Sequence, residues 1–420
     1  MFGVLGEVLG KSAIAVAIVG GIFLPFVLTH LYVYTQQKRR HKGTLTAAVM
    51  DQARRGKIHF ISSHSTKLAK SVAERVASEL LGAGCSLIEL DLIGVSLNGT
   101  WEETLGDAAV CSKALRELWL GKCKLRGPLP EMNLPALQLL NLTHNELTGT
   151  LNPLQGCTAL QRLDLSGNNL RGGLEALRSC VALRVLHLNL NQLIGGLEPL
   201  EGCKALTHLW LHDNQLTGGL EPLKGCTALQ DLRLSNNKFT GGLDALASLK
   251  ALKVLGLFDN QLKGGLEPLQ GCKVLEQLGL ENNQLTGSLE PLAACTALNQ
   301  VALDSNQLTG SLEPLRGCTK LKDLRCSGNQ LTGGLDALGG CTGLDTLLLD
   351  SNFLTGGLEP LRRCTALTEL FVGDNQLMGG LDALRGCTAL RRVSVEGNRL
   401  LVPSDEDKAR LEAQCLVFLS

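Results

Sequence analysis

An asparagine recurs every 23 residues along most of this chain without a change of spacing. A fixed period in this range is typical of solenoids, in which each repeat is one small unit that stacks on the next. The sequence therefore predicts a stacked repeat array, although 420 residues alone would suggest two or three domains. The ladder comprises Asn145, Asn168, Asn191, Asn214, Asn237, Asn260, Asn283, Asn306, Asn329, Asn352, Asn375 and Asn398.

Each asparagine ends a nine-residue phrase, L-x-x-L-x-L-x-x-N, of which residues 160–168 (LQRLDLSGN) are one copy. Two earlier copies end in Val95 and Cys123 instead, which gives fourteen phrases in all. The apolar alternation predicts a strand with one buried face, and stacking supplies the core that a single unit lacks. The asparagine amide is predicted to turn inward and to bond the backbone of the turns above and below.

With these fourteen phrases, the chain resembles the leucine-rich repeat superfamily over residues 87–402. The resemblance implies an α/β repeat solenoid: a horseshoe with a concave parallel β-sheet of about fourteen strands and short 3₁₀ turns on the convex side. The second half of the unit, near L-T-G-G-L-E-P-L-x-G-C-T-A, is similar to the phosphatase-regulator class of repeats. Residues 125–130 (LRGPLP) look more like the plant-receptor class, so the subclass stays open.

Two further sets of residues recur in register in that second half of the unit, one of cysteines and one of acidic residues. Leu249 replaces cysteine in one repeat, which favours buried free thiols over disulfides or a metal site, and free thiols favour a reducing compartment. The acids stand where a helical turn begins and are predicted to cap its N–H groups rather than to attract cations. The cysteines are Cys157, Cys180, Cys203, Cys226, Cys272, Cys295, Cys318, Cys341, Cys364 and Cys387. The acids are Glu175, Glu198, Glu221, Asp244, Glu267, Glu290, Glu313, Asp336, Glu359 and Asp382.

The N-terminal region predicts a membrane anchor. After a short flank, residues 1–11, the segment from Ser12 to Tyr34 has no charge and is long enough to span a bilayer as a helix. A basic linker, residues 35–64, follows it, whereas a cleaved signal peptide would have its basic residues first. The positive-inside rule then places the solenoid in the cytosol as part of a single-pass protein.

The basic residues of the linker have two interpretations, a plain stop-transfer flank or a contact with anionic lipid. The membrane itself stays open among the endoplasmic reticulum, the plasma membrane and the mitochondrial outer membrane. Residues 65–86 and 403–420 are predicted to be helical caps on the two ends of the solenoid. The sequons at Asn98 and Asn141 would be available only to a solenoid in the secretory lumen. The basic residues in question are Lys38, Arg39, Arg40 and Lys42.

The strand positions between the leucines vary from repeat to repeat while the rest hardly changes, so the array is predicted to present its concave face. His187, Trp210 and Arg233 should touch there, because they occupy one position on adjacent strands about 4.8 Å apart. Aromatic residues and arginine are typical of binding hot spots. The predicted partner-binding residues are Trp119, His187, His208, Trp210, His212, Arg233 and Phe258. An acidic stripe is predicted beyond them, at Glu281, Asp304, Asp350 and Glu396.

Other chemistries are disfavoured. His208 and His212 would lie roughly 13 Å apart on one strand, too far for one metal ion. No nucleophile with a matching base is evident, and the balance of 40 basic and 40 acidic residues gives no sign of nucleic-acid binding. The sequence thus predicts a membrane-anchored protein that is not an enzyme, needs no cofactor and binds a protein partner through its concave face. The alternatives are an extracellular receptor-like recognition protein and a regulatory subunit of an enzyme such as a phosphatase.

Overall fold

The computed structural model describes residues 57–59, 88–91, 93–94, 97–100, 113–401, 405–414 and 416–418. The predicted anchor at 12–34, the basic residues after it and the predicted cap at 65–86 lie outside the described residues. Among the described residues, no helix has the length and the apolar character needed to cross a bilayer.

The repeats form one parallel sheet of 16 strands, which corresponds to the predicted concave sheet. We call it the main sheet. The middle residue of each strand between 117 and 394 is a buried leucine or valine, which explains why the leucine phrases become strands. The strands are Lys57–His59, Glu89–Asp91, Glu117–Trp119, Leu139–Asn141, Arg162–Asp164, Val185–His187, His208–Trp210, Asp231–Arg233, Val254–Gly256, Gln277–Gly279, Gln300–Ala302, Asp323–Arg325, Thr346–Leu348, Glu369–Phe371, Arg392–Ser394 and Leu416–Phe418.

The sheet has two strands more than the fourteen phrases predict, one at each end. Lys57–His59 pairs with Glu89–Asp91, and Leu416–Phe418 pairs with Arg392–Ser394. Neither segment carries the repeat phrase. The helix near the C terminus spans Asp405–Gln414, with Leu411 buried. The prediction of a helical cap over residues 403–420 is wrong at Leu416, because Leu416 extends the main sheet; Cys415 lies outside the described residues.

A second sheet of nine parallel strands, which the sequence interpretation missed, follows the ladder asparagines. Its strands are Arg171–Gly172, Gln192–Gly195, Gln215–Gly218, Lys238–Gly241, Gln261–Gly264, Gln284–Ser288, Gln307–Gly310, Gln330–Gly333 and Phe353–Leu354. Two shorter pairs continue the pattern at the ends: Arg126–Pro128 with Glu146–Thr148, and Met378–Gly379 with Leu400–Leu401.

Short 3₁₀ turns complete the eleven consecutive repeats whose ladder residues run from Asn145 to Asn375, as predicted. They span Asn152–Leu154, Glu175–Leu177, Glu198–Leu200, Glu221–Leu223, Asp244–Ser248, Glu267–Leu269, Glu290–Leu292, Glu313–Gly317, Asp336–Gly340, Glu359–Arg363 and Asp382–Gly386. The capping prediction for the acids is wrong, because the residue before each turn is a leucine and the acid is already the first residue of the turn. At these described turns, the N-cap residue makes no side-chain cap hydrogen bond. The Glu198 carboxylate instead lies over Gly196, where a Cβ would otherwise stand.

Asn237 shows how the ladder connects repeats. Its Nδ2 donates to the carbonyl oxygens of Leu234 and Leu211, each at 3.0 Å, and its Oδ1 accepts from the N–H of Leu216 at 2.9 Å. The side chain thus bonds its own repeat and the preceding one. The prediction that it also bonds the following repeat is wrong, since the amide points back toward the earlier turn.

The ladder cysteines are free and buried, as predicted. Their thiols point to the preceding repeat as well; for example, the Cys203 thiol donates to the carbonyl oxygen of Cys180 over 3.5 Å. Burial raises the pKa of Cys203 to about 12, with a further rise from the neighbouring thiols of Cys226 and Cys180.

Candidate functional site

A row of stacked side chains crosses the outward face of the main sheet at Trp210. The parallel register places Trp210 between His187 and Arg233. The His187 and Trp210 rings stack at 4.1 Å between centroids, with 13° between their planes. The guanidinium carbon of Arg233 lies 4.6 Å from the centre of the Trp210 ring on the next strand. The structure therefore brings together the three residues that the sequence placed in contact.

Carboxylates hold both ends of this row. His187 Nδ1 lies 3.3 Å from Asp164 Oδ2, and the Ser166 hydroxyl donates to Asp164 Oδ1 over 2.8 Å. Burial raises the pKa of the Asp164 carboxyl, but its hydrogen bonds to His187 and Ser166 outweigh burial and keep that pKa below the usual value. At the other end, Asp231 accepts two hydrogen bonds from Arg233, at 2.9 and 3.1 Å. We call Asp164, His187, Trp210, Arg233 and Asp231 the Trp210 row.

Several buried polar atoms on this face have no hydrogen-bond partner. Within the described residues, they include His187 Nε2, Trp210 Nε1, Ser235 Oγ and Glu281 Oε2. His187 and Ser235 are only 8% and 2% exposed. Since buried polar groups in proteins are normally paired, each such atom requires an explanation. The four residues belong to four repeats whose strands fall within a run of five neighbouring strands of the main sheet.

A shallow trough begins beside Arg233. Gly256, Gly279 and Ala302 occupy the same position on the next three strands, and Arg325 follows on the fourth. The floor therefore lacks long side chains over about 19 Å between the two arginines. Arg325 is held by Asp323 through bonds of 2.9 and 3.0 Å, much as Arg233 is held by Asp231. The run of small residues was visible in the sequence, but only the strand register shows that it separates two anchored arginines.

Two members of the predicted acidic stripe, Glu281 and Asp304, lie beside the trough, whereas Asp350 and Glu396 follow strands beyond Arg325. Asp304 accepts from the N–H of Ser327 at 2.7 Å, and Asp350 accepts from the N–H of Gly373 at 2.9 Å. Burial raises the pKa of both carboxyls above the usual value. Burial also raises the pKa of Glu281, and the nearby charges of Asp304 and Asp259 add to that effect.

The remaining predicted residues divide into two groups. His208 and His212 share the strand region of Trp210, but they bond locally, to Thr207 at 2.9 Å and to Asp213 at 2.7 Å. Trp119 lies four strands away from Trp210 and donates its indole N–H to Glu117 at 3.2 Å, so it does not join the row. In the part of the chain that the structure describes, no group of three histidines, cysteines or acids is arranged to hold a metal ion.

Phe258 lies at the trough rather than in the row. Its ring stands 3.7 Å from the point where a Cβ on Gly279 would lie, and Glu281 Oε2 lies 3.3 Å from the same point. The sequence placed Phe258 near Trp210 because it is two strands away. The ring instead turns toward the strand on its other side, together with the Glu281 carboxylate.

Comparison with known proteins agrees with this architecture. Residues 135–179 and 204–248 match a family model described as leucine rich repeats (2 copies). The chain belongs to the leucine-rich repeat superfamily. No curated protein sequence matches this leucine-rich repeat chain.

Solved leucine-rich repeat structures resemble it over most of its length. A plant peptide hormone receptor, RGFR1 in complex with RGF2, is 29% identical over 76% of this chain and 53% of its own, with a TM-score of 0.70. The ectodomain of the Arabidopsis receptor kinase HAESA, in complex with an N-terminally extended IDA peptide hormone, is 30% identical over 74% of this chain and 58% of its own, with a TM-score of 0.65. The present chain thus spans just over half the length of these two receptor structures.

An internalin from Listeria monocytogenes, inlF, is 21% identical over 89% of this chain and 94% of its own, with a TM-score of 0.59. At this identity the likeness concerns the fold alone.

Proposed function

We propose that this leucine-rich repeat protein binds an extended segment of a partner protein across the outward face of its main sheet, centred on the Trp210 row. The observation that carries this proposal is the group of buried polar atoms without partners on that face, among them His187 Nε2 and Trp210 Nε1. A bound main chain offers both the donors and the acceptors that such atoms lack.

The row is also organised in advance for contact. Trp210 is fixed between the His187 ring and the Arg233 guanidinium, and carboxylates hold both of those neighbours. A side chain that is already ordered loses little rotamer freedom when a partner binds, which favours affinity. Tryptophan and arginine are the residue types most enriched at binding hot spots.

The similar structures support a peptide-like partner. The two plant receptors are described in complex with peptide hormones. Those peptides belong to those receptors; for the present chain we carry over only the class of partner, an extended polypeptide.

The test is a selection of random 12-residue peptides displayed on phage against the full chain, followed by affinity measurement on the enriched peptides. The variant Trp210→Ala with Arg233→Ala should weaken binding at least tenfold while the thermal unfolding temperature changes little, because both side chains are partly solvent-exposed. The matched control is Trp119→Ala, which removes an indole four strands away. Enriched peptides that bind the double variant as well as the wild type would overturn the proposal.

We further propose that residues 12–34 anchor the protein in a membrane with the solenoid in the cytosol. The uncharged stretch and the basic residues after it support this topology. The likeness to receptor ectodomains favours the alternative, a solenoid outside the cell. Protease protection on sealed membranes distinguishes the two, because a cytosolic solenoid is digested without detergent.

Glycosylation gives a second readout of topology. Asn98 is exposed, whereas Asn141 is only 9% exposed in the main sheet and accepts hydrogen bonds from Thr143. Asn98 is therefore the informative sequon. A glycan shift that disappears in Asn98→Gln would overturn the cytosolic topology.

A further inference from the structure

The trough beside the Trp210 row has a larger charge imbalance than the row itself. In residues 254–259, 277–282 and 300–305, three strands with the turns that follow them, the charged residues are Asp259, Glu281 and Asp304. Three acids and no base give this segment a net charge of −3. The border arginines Arg233 and Arg325 are each bonded to their own aspartates. Burial keeps the pKa of the Glu281 and Asp304 carboxyls above the usual value, although the charge of Arg325 acts to lower both.

The acids of the trough differ in how well they are satisfied. Asp259 accepts from the Asn282 amide at 2.8 Å, and Asp304 accepts from the Ser327 N–H at 2.7 Å. Glu281 Oε2 is buried against Gly279 and has no hydrogen-bond partner. A buried carboxylate oxygen without a donor is costly, and a nearby cation would remove that cost.

Two further side chains point to a ligand at this place. Ser235 is 2% exposed, its hydroxyl has no partner, and it stands 3.4 Å from the point where a Cβ on Gly256 would lie. The Phe258 ring lies beside Gly279 next to the Glu281 carboxylate. An aromatic face together with carboxylates is a favourable environment for a guanidinium or ammonium group. The glycine and alanine floor leaves room for its stem.

We propose that the trough over Gly256, Gly279 and Ala302 receives a cationic side chain, arginine or lysine, of the bound partner, with Glu281 and Asp304 as its acceptors and Phe258 beside it. This proposal rests on the proposed function for the identity of the partner, because it assigns one part of the same face to a basic residue of the bound segment. The neighbouring Trp210 row contacts the rest of that segment.

The test uses fluorescein-labelled hexa-arginine amide as the probe, with hexa-citrulline amide as its uncharged analogue, and measures fluorescence anisotropy at low salt on the full chain. The trough variant is Glu281→Gln with Asp304→Asn. It should bind hexa-arginine at least tenfold more weakly than the wild type, and hexa-citrulline should bind neither protein measurably. Asparagine retains an acceptor for the Ser327 N–H, so the fold should persist.

The matched control removes the same charge elsewhere. Glu267→Gln with Glu290→Gln neutralises two exposed acids on adjacent repeats in the 3₁₀ turns, and it should keep affinity within about twofold of the wild type. A second variant, Gly256→Leu, fills the floor and keeps every charge; a Cβ there meets nothing closer than 3.4 Å, so it should fold and should lose binding like the trough variant.

Equal loss of affinity in the trough and control variants would mean that bulk charge attracts the probe, and it would overturn the subsite. Unchanged binding in the trough variant, or a wild type that does not bind the probe, would also overturn it. These outcomes are separate from those of the peptide selection. Trough binding without any selected peptide supports the subsite and leaves the partner proposal unsupported. Selected peptides that depend on Trp210 but not on Glu281 support the partner proposal and overturn the subsite.

Discussion

At the scale of single residues, each ladder asparagine replaces missing backbone partners. Asn237 bonds Leu216 and Leu211 of the preceding repeat and Leu234 of its own, all in buried surroundings. Asn237→Ala would leave the Leu216 N–H unpaired inside the solenoid, whereas the Leu211 carbonyl would keep its hydrogen bond from the Asn214 amide. We expect it to lower the free energy of unfolding by about 1–3 kcal/mol, measured by urea denaturation. Because the bonds run backward, hydrogen exchange should accelerate at Leu216 more than at Phe239; the reverse order would contradict the bonding direction.

Glu281 gives a residue-scale prediction on pH. Burial raises the pKa of its carboxyl, with a further contribution from Asp304 and Asp259, so the folded protein retains this proton to a higher pH than the unfolded chain, where 4.5 is the reference value. The free energy of unfolding therefore falls as pH rises from the reference value through the raised one. Glu281→Gln removes this loss, so the variant should unfold at a higher temperature than the wild type at pH 7 and at nearly the same temperature near pH 4.

The control for Glu281→Gln is Glu290→Gln, an exposed acid of the 3₁₀ ladder, which should not change the pH dependence of unfolding. A wild type more stable than Glu281→Gln at pH 7, with the difference lost near pH 4, would show that the carboxylate is stabilised in its charged form. The Glu281 carboxylate in the trough would then already have favourable partners in the free protein.

At the scale of elements, the two glycines before most of the 3₁₀ turns have different roles. Gly218 has φ of +87°, a conformation that side chains rarely adopt, whereas Gly219 has an ordinary φ and only leaves space for the Glu221 carboxylate. Gly218→Ala should therefore cost about 1–3 kcal/mol, and Gly219→Ala should cost less because the carboxylate can rotate away. Ser288 and Ser311 already occupy the second position in two repeats, where their hydroxyls accept the N–H of Glu290 and Glu313. Urea midpoints of the two variants test this, and equal losses would contradict it.

The same elements show what sequence patterns cannot predict. The repeat period predicted the positions of the main-sheet strands and of the 3₁₀ turns, because stacking buries the same leucine positions in every repeat. The sequence did not predict the second sheet, because the glycine of its Q-L-T-G phrase indicates a turn. Thr217 and Gly218 become strand residues only through pairing with Lys238 and Phe239 of the next repeat, so the element depends on stacking and not on local preference.

At the scale of the whole molecule, the register predicted which residues meet across strands, and the contacts among His187, Trp210 and Arg233 follow from it. The register did not predict contacts that depend on side-chain rotamers. Asp231 holds Arg233 along its own strand, and Phe258 turns toward Gly279 instead of Trp210. The register did not predict the unpaired buried polar atoms either, because hydrogen bonding depends on where each side chain points.

The cysteine ladder gives a prediction that involves the whole solenoid. Burial raises the pKa of Cys180, Cys226, Cys295, Cys318 and Cys364 to about 11 and that of Cys203 to about 12, from a reference value of 9.0. The unfolded chain therefore releases these protons from about pH 9 upward, while the folded chain retains them. The stability contributed by the protonated thiols is complete below the reference value and is lost as pH rises through the folded values.

We expect the free energy of unfolding to fall steeply above about pH 9, by up to about 1.4 kcal/mol per pH unit for each thiol. Urea denaturation between pH 7.5 and pH 10.5 measures this slope, and Cys203→Ala with Cys226→Ala should reduce it. All other titratable groups are the same in both proteins, so the difference between the slopes isolates the two thiols. Identical slopes would mean that the thiols ionise in the folded repeats, and the ladder would then be accessible to solvent and reactive.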